Sequence, residues 1–291
     1  MGIYESNSTT DEDNLVAVIK DESTSQFIKI DSNRRTYVDS LITTQSIDSN
    51  WLLAVARGNV TGIIFYRKFG RNDDFDSGTM EDVVSFGGTY SFPSSAASTQ
   101  INSSSNSDKS AGTGARTVTV EGLDSNYDEI SEVVTMNGTT NVTLTNSYLR
   151  VNRASVTTAG SGEINQGDIQ IFQGGNTLAE IPEDLGQTQQ AVYTVPAGKT
   201  LYIQRWRCEA VRGSGGGSGN REIEVYFKFR PQGGAFRTID IVGIDSNGGP
   251  FSSGDNWITS FPEKSDIKIS AIAESNNTRV TAAYEGYLIN D

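Results

Sequence analysis

The chain has 291 residues, 23 of them Lys or Arg and 36 Asp or Glu, for a formal net charge of -13. That balance excludes a protein built around nucleic acid or a polybasic membrane contact, since both need clustered cations. Histidine is absent and Cys208 is the one cysteine, which removes a Ser-His-Asp triad, the commonest metal ligand and an intrachain disulfide together.

From the N-terminus, Met1-Gly2-Ile3-Tyr4-Glu5-Ser6 lacks the basic and apolar regions of a signal peptide, although it fits the loose myristoylation pattern. Residues 15–20 and 27–30 are strand-like. Their apolar side chains (Leu15, Val16, Val18, Ile19, Phe27, Ile28 and Ile30) are too few to close a core. Residues 1–70 are therefore expected to be an anchoring arm, with a short helix over 35–47. The apolar runs 51–56 and 61–66 are strand-length, far short of the roughly 20 residues that span a bilayer. Sequons such as Asn59-Val60-Thr61, Asn137-Gly138-Thr139 and Asn141-Val142-Thr143 arise by chance in a chain so rich in Asn, Ser and Thr.

The middle of the chain reads as a β-meander. Arg116-Thr117-Val118-Thr119-Val120 alternates polar and β-branched residues, so one face is buried. A turn at 123–127, a strand at 130–136, the Asn137-Gly138 turn and strands at 141–144 and 148–156 follow. Residues 94–114 carry almost nothing large to bury and read as mobile. A second short helix is expected over 181–189.

The last third is clearer. Strands are expected at 191–195, 200–211, 222–230, 236–244, 257–261, 266–273 and 278–288, with Pro196-Ala197-Gly198-Lys199 and Pro231-Gln232-Gly233-Gly234 as turns. That is one antiparallel sandwich in size. Residues 212–220, rich in Gly and Ser, form a long loop tip.

Several clusters invite chemistry. Asp73, Asp74 and Asp76 are the one metal candidate, a weak one for calcium, because oxygen-rich loops suit a hard cation. Counting from Asp74, the twelfth position is Ser85, where an EF-hand needs a bidentate Glu. Asp124, Asp128 and Glu129 surround a predicted turn and read as a solvated face rather than an acid/base pair. Gly112-Thr113-Gly114-Ala115-Arg116 lacks both the spacing and the following helix of a phosphate loop. Alternation puts Trp206 and Cys208 on one buried face. Trp51, Trp206 and Trp257 read as core anchors. No catalytic residue and no cofactor site emerge.

The order of motifs resembles a family of virion-associated structural proteins of marine tailed bacteriophages. Arg57-Gly58-Asn59-Val60-Thr61-Gly62 leads through Lys68-Phe69-Gly70-Arg71-Asn72 to Phe86-Gly87-Gly88-Thr89-Tyr90. Then come Ala111-Gly112-Thr113-Gly114-Ala115-Arg116, Val120-Glu121-Gly122-Leu123-Asp124 and Thr145-Asn146-Ser147-Tyr148-Leu149-Arg150. Tyr193-Thr194-Val195-Pro196-Ala197-Gly198-Lys199-Thr200 and Pro262-Glu263-Lys264-Ser265-Asp266-Ile267-Lys268 complete the series. The resemblance covers about residues 55–291 and carries no catalytic motif.

The expectation is an all-β chain: an arm at 1–70, a middle β-domain at 71–180 and a C-terminal sandwich at 185–291, both domains antiparallel and jelly-roll-like. The resemblance implies a particle component and leaves its position on the particle open; the expectation is a non-enzymatic protein at the virion surface, made in the bacterial cytoplasm. It would be a capsid decoration or head-fibre protein on the major capsid protein, self-associating as a homotrimer or similar. The alternative is a tail component, an adaptor-bound fibre or spike base with a glycan-binding sandwich. Neither nucleic acid nor a membrane is expected as partner. The arm is expected to dock on a neighbour, and the region from about 190 onward to fold alone.

Overall fold

A computed structural model of the chain describes residues 2–4, 17–21, 26–30, 36–39, 51–212, 222–254 and 258–291, the first four segments as backbone only. The chain forms two compact units, Met1–Thr61 and Gly62–Asp291. In the first, β1 (Gly2–Tyr4), β2 (Ala17–Asp21), β3 (Gln26–Ile30) and β4 (Thr36–Asp39) pair antiparallel in chain order. Strand β4 lies where a helix was expected, and its Thr-Tyr-Val run favours the extended chain. The helix is instead α1 (Trp51–Ala56), where the apolar run read as strand-length. Leu and Ala are good helix formers, and Gly58 at φ +72° terminates the turn in a left-handed cap.

The second unit opens with β5 (Ile63–Phe75) and β6 (Met80–Asp82). Next come β7 (Ala97–Ser103), β8 (Ala115–Leu123), β9 (Glu129–Thr135), β10 (Val142–Tyr148), β11 (Arg150–Ala159), β12 (Ile169–Gln173) and β13 (Asn176–Ile181). The C-terminal strands are β14 (Val192–Thr194), β15 (Lys199–Arg212), β16 (Glu222–Arg230), β17 (Arg237–Asp245) and β18 (Phe251–Ser252). Strands β19 (Thr259–Phe261), β20 (Asp266–Ala273) and β21 (Thr278–Asn290) close the chain. The fold is all-β and its ladders are antiparallel.

Two sandwiches result. In the first, the sheet β10-β7-β12-β13 faces the sheet β11-β8-β9. Ile101, Tyr148, Ile169, Ile171 and Leu178 from one sheet meet Val118, Val120, Val134, Val151 and Ala154 from the other. In the second, β14-β20-β16-β17 faces β18-β15-β21-β5, with β6 on β20 and β19 on β15. Its core is aromatic: Trp206, Phe227, Phe261, Tyr284 and Phe75 are buried together. Trp206 meets Phe227 edge-on at 5.6 Å, and its indole N–H donates to Asp240 Oδ2 at 2.9 Å.

Three expectations change. Strand β5 crosses the boundary expected near residue 70 and pairs along almost its whole length with β21, from Ile63↔Ile289 to Thr278↔Phe75. The second sandwich is therefore discontinuous in sequence, and the region from 190 onward takes an edge strand and a core Phe75 from residues 63–75. Local patterning shows a strand's two faces but not its partner, so a pairing across two hundred residues leaves no trace in it.

Residues 94–114 hold β7, which lies inside its sheet between β10 and β12. Ile101 is buried, with the small polar residues Thr99 and Ser103 buried beside it. The following loop wraps the buried carboxylate of Asp108, which accepts from Ser103 Oγ at 2.6 Å, Ala115 N at 2.7 Å and Gln166 N at 2.9 Å. A Cβ at Gly112 would stand 1.9 Å from Ser107 O, so close backbone approach accounts for that glycine. Residues 181–189 are a turn rather than a helix, with Leu185 N donating to Pro182 O at 3.2 Å. The expected loop at 212–220 lies, apart from Arg212, outside the described residues.

Candidate functional site

The second unit places its densest polar chemistry where the two sandwiches meet. Strand β20 reads Asp-Ile-Lys-Ile-Ser-Ala-Ile-Ala and alternates as a half-solvated strand would. Ile267, Ile269, Ala271 and Ala273 point into the sandwich core. Its polar residues Asp266, Lys268 and Ser270 are buried as well.

Asp266 takes two guanidiniums. Arg150, at the start of β11 in the first sandwich, donates through Nε at 3.0 Å and Nη2 at 3.1 Å, a bidentate pair with both side chains almost fully buried. Arg230 of β16 donates to Oδ2 through Nε at 2.8 Å, and Thr194 Oγ1 adds a short bond of 2.5 Å. Phe92 lies between the two arginines, its ring centroid 5.2 Å from Arg150 Cζ and 4.9 Å from Arg230 Cζ. Lys268 Nζ donates to Asp82 Oδ2 at 2.9 Å, and Asp82 also accepts from Ser270 Oγ and from Tyr90 N. Glu81 holds the neighbouring loop by accepting from Asp76 N, Gly88 N and Asn72 Nδ2.

Farther along the joint, the Asn152 amide imitates a strand: Nδ2 donates to Thr194 O at 3.1 Å and Oδ1 accepts from Thr194 N at 3.2 Å. Gln190 Nε2 donates to Val151 O, and Lys199 pairs with Glu129. A cleft of about 290 Å³ opens here, lined by Tyr66, Tyr193, Glu121, Glu129, Asn152 and Arg153 among others. The Tyr66 and Tyr193 rings are 4.4 Å apart, and burial pushes both phenols upward. Beside them Lys68 is buried and donates to Asn152 O. Burial holds its ammonium well below the usual lysine range, Arg153 pushes the same way, and Glu121 opposes.

The other expected sites separate from this joint. Asp73 is bracketed by Arg71 and Arg279, with Arg279 Nε at 2.6 Å, while Asp74 and Asp76 are exposed. Among the described residues no group of three His, Cys, Asp or Glu side chains can hold a metal ion. Asp124 organises its turn, Oδ1 accepting from Asn126 N and Asp128 N. Of that acidic group, only Glu129 reaches the cleft. Cys208 is buried near Trp206, and burial followed by Asp240 pushes its thiol up to about 12. Trp51 lies on α1 and is 39% exposed, so it is no core anchor; Trp257 falls outside the described residues. No helix among the described residues is long and apolar enough to cross a membrane.

A second hollow, of about 480 Å³, lies on the outer face of the β18-β15-β21-β5 sheet and is lined by Arg67, Phe69, Arg71 and Arg207 among others.

No family model and no curated protein matches the chain. Among solved structures it is similar to one titled structure of infectious bursal disease virus Gt strain, at 11% identity over 79% of this chain and 81% of that one. The TM-score is 0.13, too slight to carry an argument.

Composition and motif templates did not single out Arg150, Asp266, Thr194, Asp82 or Lys268. A signal was nonetheless present. The strings at 86–90, 145–150, 193–200 and 262–268, singled out above by their motif order, contain Tyr90, Arg150, Thr194, Asp266 and Lys268. In the folded chain those strings converge on the joint.

Proposed function

We propose that this chain is a structural protein of a tailed-bacteriophage particle, a non-enzymatic capsid decoration or head-fibre protein anchored on the major capsid protein. The observation that carries the reading is the convergence at the joint. The motifs resembling those of virion proteins supply Arg150, Thr194 and Asp266, whose ion pair and hydrogen bonds fasten the two sandwiches together. A particle component needs a fixed outline more than it needs a reactive group, and buried paired charges serve to specify one arrangement of packed elements. On this reading the protein self-associates at the particle surface, with its N-terminal unit on a neighbouring subunit or on the shell.

The hollow lined by arginines favours a second reading, a tail component that grips a surface glycan. Imaging purified particles with the protein located in the density separates the two. Hundreds of copies on the head support decoration; a ring of about six to eighteen at the tail supports the second reading. Absence from the particle overturns both.

A further inference from the structure

The outer face of the β18-β15-β21-β5 sheet presents rows fixed by strand register. Arg205, Glu285 and Arg67 form one row; Arg207, Ala283 and Phe69 the next; Glu209, Thr281 and Arg71 the third. Arg279 and Asp73 lie just beyond. Five guanidiniums thus face three carboxylates, in a chain whose net charge is -13. Two of the three carboxylates are also shared, while Glu209 makes no ion pair among the described residues and lines the hollow itself. Glu285 serves both Arg205 and Arg67, the latter at 3.9 Å, and Asp73 serves both Arg71 and Arg279. Arg207 is exposed and makes no ion pair among the described residues. In the middle row Ala283 is too small to fill the sheet surface, and a hollow of about 480 Å³ opens between Arg207 and Phe69, within the range of small-ligand clefts.

The geometry points to this hollow as a binding site for a carboxylate-bearing oligosaccharide. Arg207 supplies a planar fork that matches a carboxylate two bonds at a time. The ring of Phe69, half-buried with Arg67 and Arg71 on the same face of its strand, offers an apolar surface for the C–H face of a sugar ring. Arg67 and Arg71, each holding only a share of a carboxylate, accept a second acidic sugar along the groove. Nucleic acid fits less well, since the acidic chain as a whole repels a long polyanion. The inference concerns the chain by itself and holds wherever on a particle the protein sits.

The test is calorimetric titration of the full chain at about 0.15 M salt, where only close charge contacts persist, with three probes. Oligogalacturonate carries rings and charge, its methyl ester carries the rings without charge, and poly-glutamate carries the charge without rings. The expected result is binding of oligogalacturonate at least tenfold tighter than of either control. Arg207→Glu should weaken it at least tenfold with an unchanged melting temperature, because that side chain is exposed. Phe69→Ser should weaken it severalfold. Equal binding of poly-glutamate would make the groove an acidic-peptide surface and overturn the proposal. So would no binding of oligogalacturonate, or an Arg207→Glu variant that binds as the parent does. Neither outcome bears on the copy number that tests the particle assignment.

Discussion

Single side chains at the joint carry unusual electrostatic weight. Asp266 is the shared counter-charge of Arg150 and Arg230, so Asp266→Ala would leave a buried guanidinium without its carboxylate. The expected loss of stability is about 3–5 kcal/mol, read from chemical denaturation; a loss below about 1 kcal/mol would mean water or Pro93 O replaces the carboxylate at little cost. Lys68 works in the opposite sense. Its folded-state pKa is depressed by burial, so between that value and the unfolded value near 10.4 the unfolded chain binds the extra proton. Stability therefore rises with pH through that window, and at neutral pH the lysine is a cost. Lys68→Met should raise the melting temperature at pH 7 and gain less at pH 10. An equal gain at both would show that packing, not charge burial, is what changed. None of these roles was legible in the sequence. Asp266 and Lys268 sit at the polar positions of an alternating strand, which is how solvated residues look until something covers them.

At the scale of elements, strands with strong alternation were legible: β8, β9, β15, β16, β20 and β21 lie close to where Val, Ile and aromatic spacing puts them. Strand β7 was not, because Ala97-Ser-Thr-Gln-Ile-Asn-Ser has one large apolar residue, and its place in the sheet comes from neighbours on both sides. The run at 51–56 fits either period in so short a stretch, and Leu-Leu-Ala decides for the helix. The long reach of β5 has a direct consequence. A fragment of residues 190–291 lacks Phe75 and the strand that covers β21, and it should not fold alone. A fragment of residues 62–291 should be soluble, with the far-UV circular dichroism of a β-protein. A sharp melting transition from the shorter fragment would show that the sheet closes without β5.

Across the whole second unit, the Arg150–Asp266 and Lys199–Glu129 pairs, the paired hydrogen bonds of the Asn152 amide with Thr194 and the stacking of Arg150 on Phe92 tie one sandwich to the other. Residues 62–291 should therefore unfold in a single cooperative transition. Cys208 reports on it: with the thiol buried and its pKa pushed to about 12, reaction with a thiol reagent should begin only as the second sandwich opens. Labelling that runs ahead of the loss of dichroism would separate the two sandwiches. The sequence by itself determined the all-β class, the absence of histidine chemistry and of a disulfide, and the period-2 faces of the clearest strands, because these depend on composition and on neighbours two residues apart. Only the tertiary structure decided that β5 belongs to the last sandwich, that the polar face of β20 is a buried ionic joint, and that arginines 67, 71, 205 and 207 share one sheet face. Each of those is a relation between residues distant in the chain. Alternation says that a strand has two faces; what lies against each is set by the strands that arrive from elsewhere.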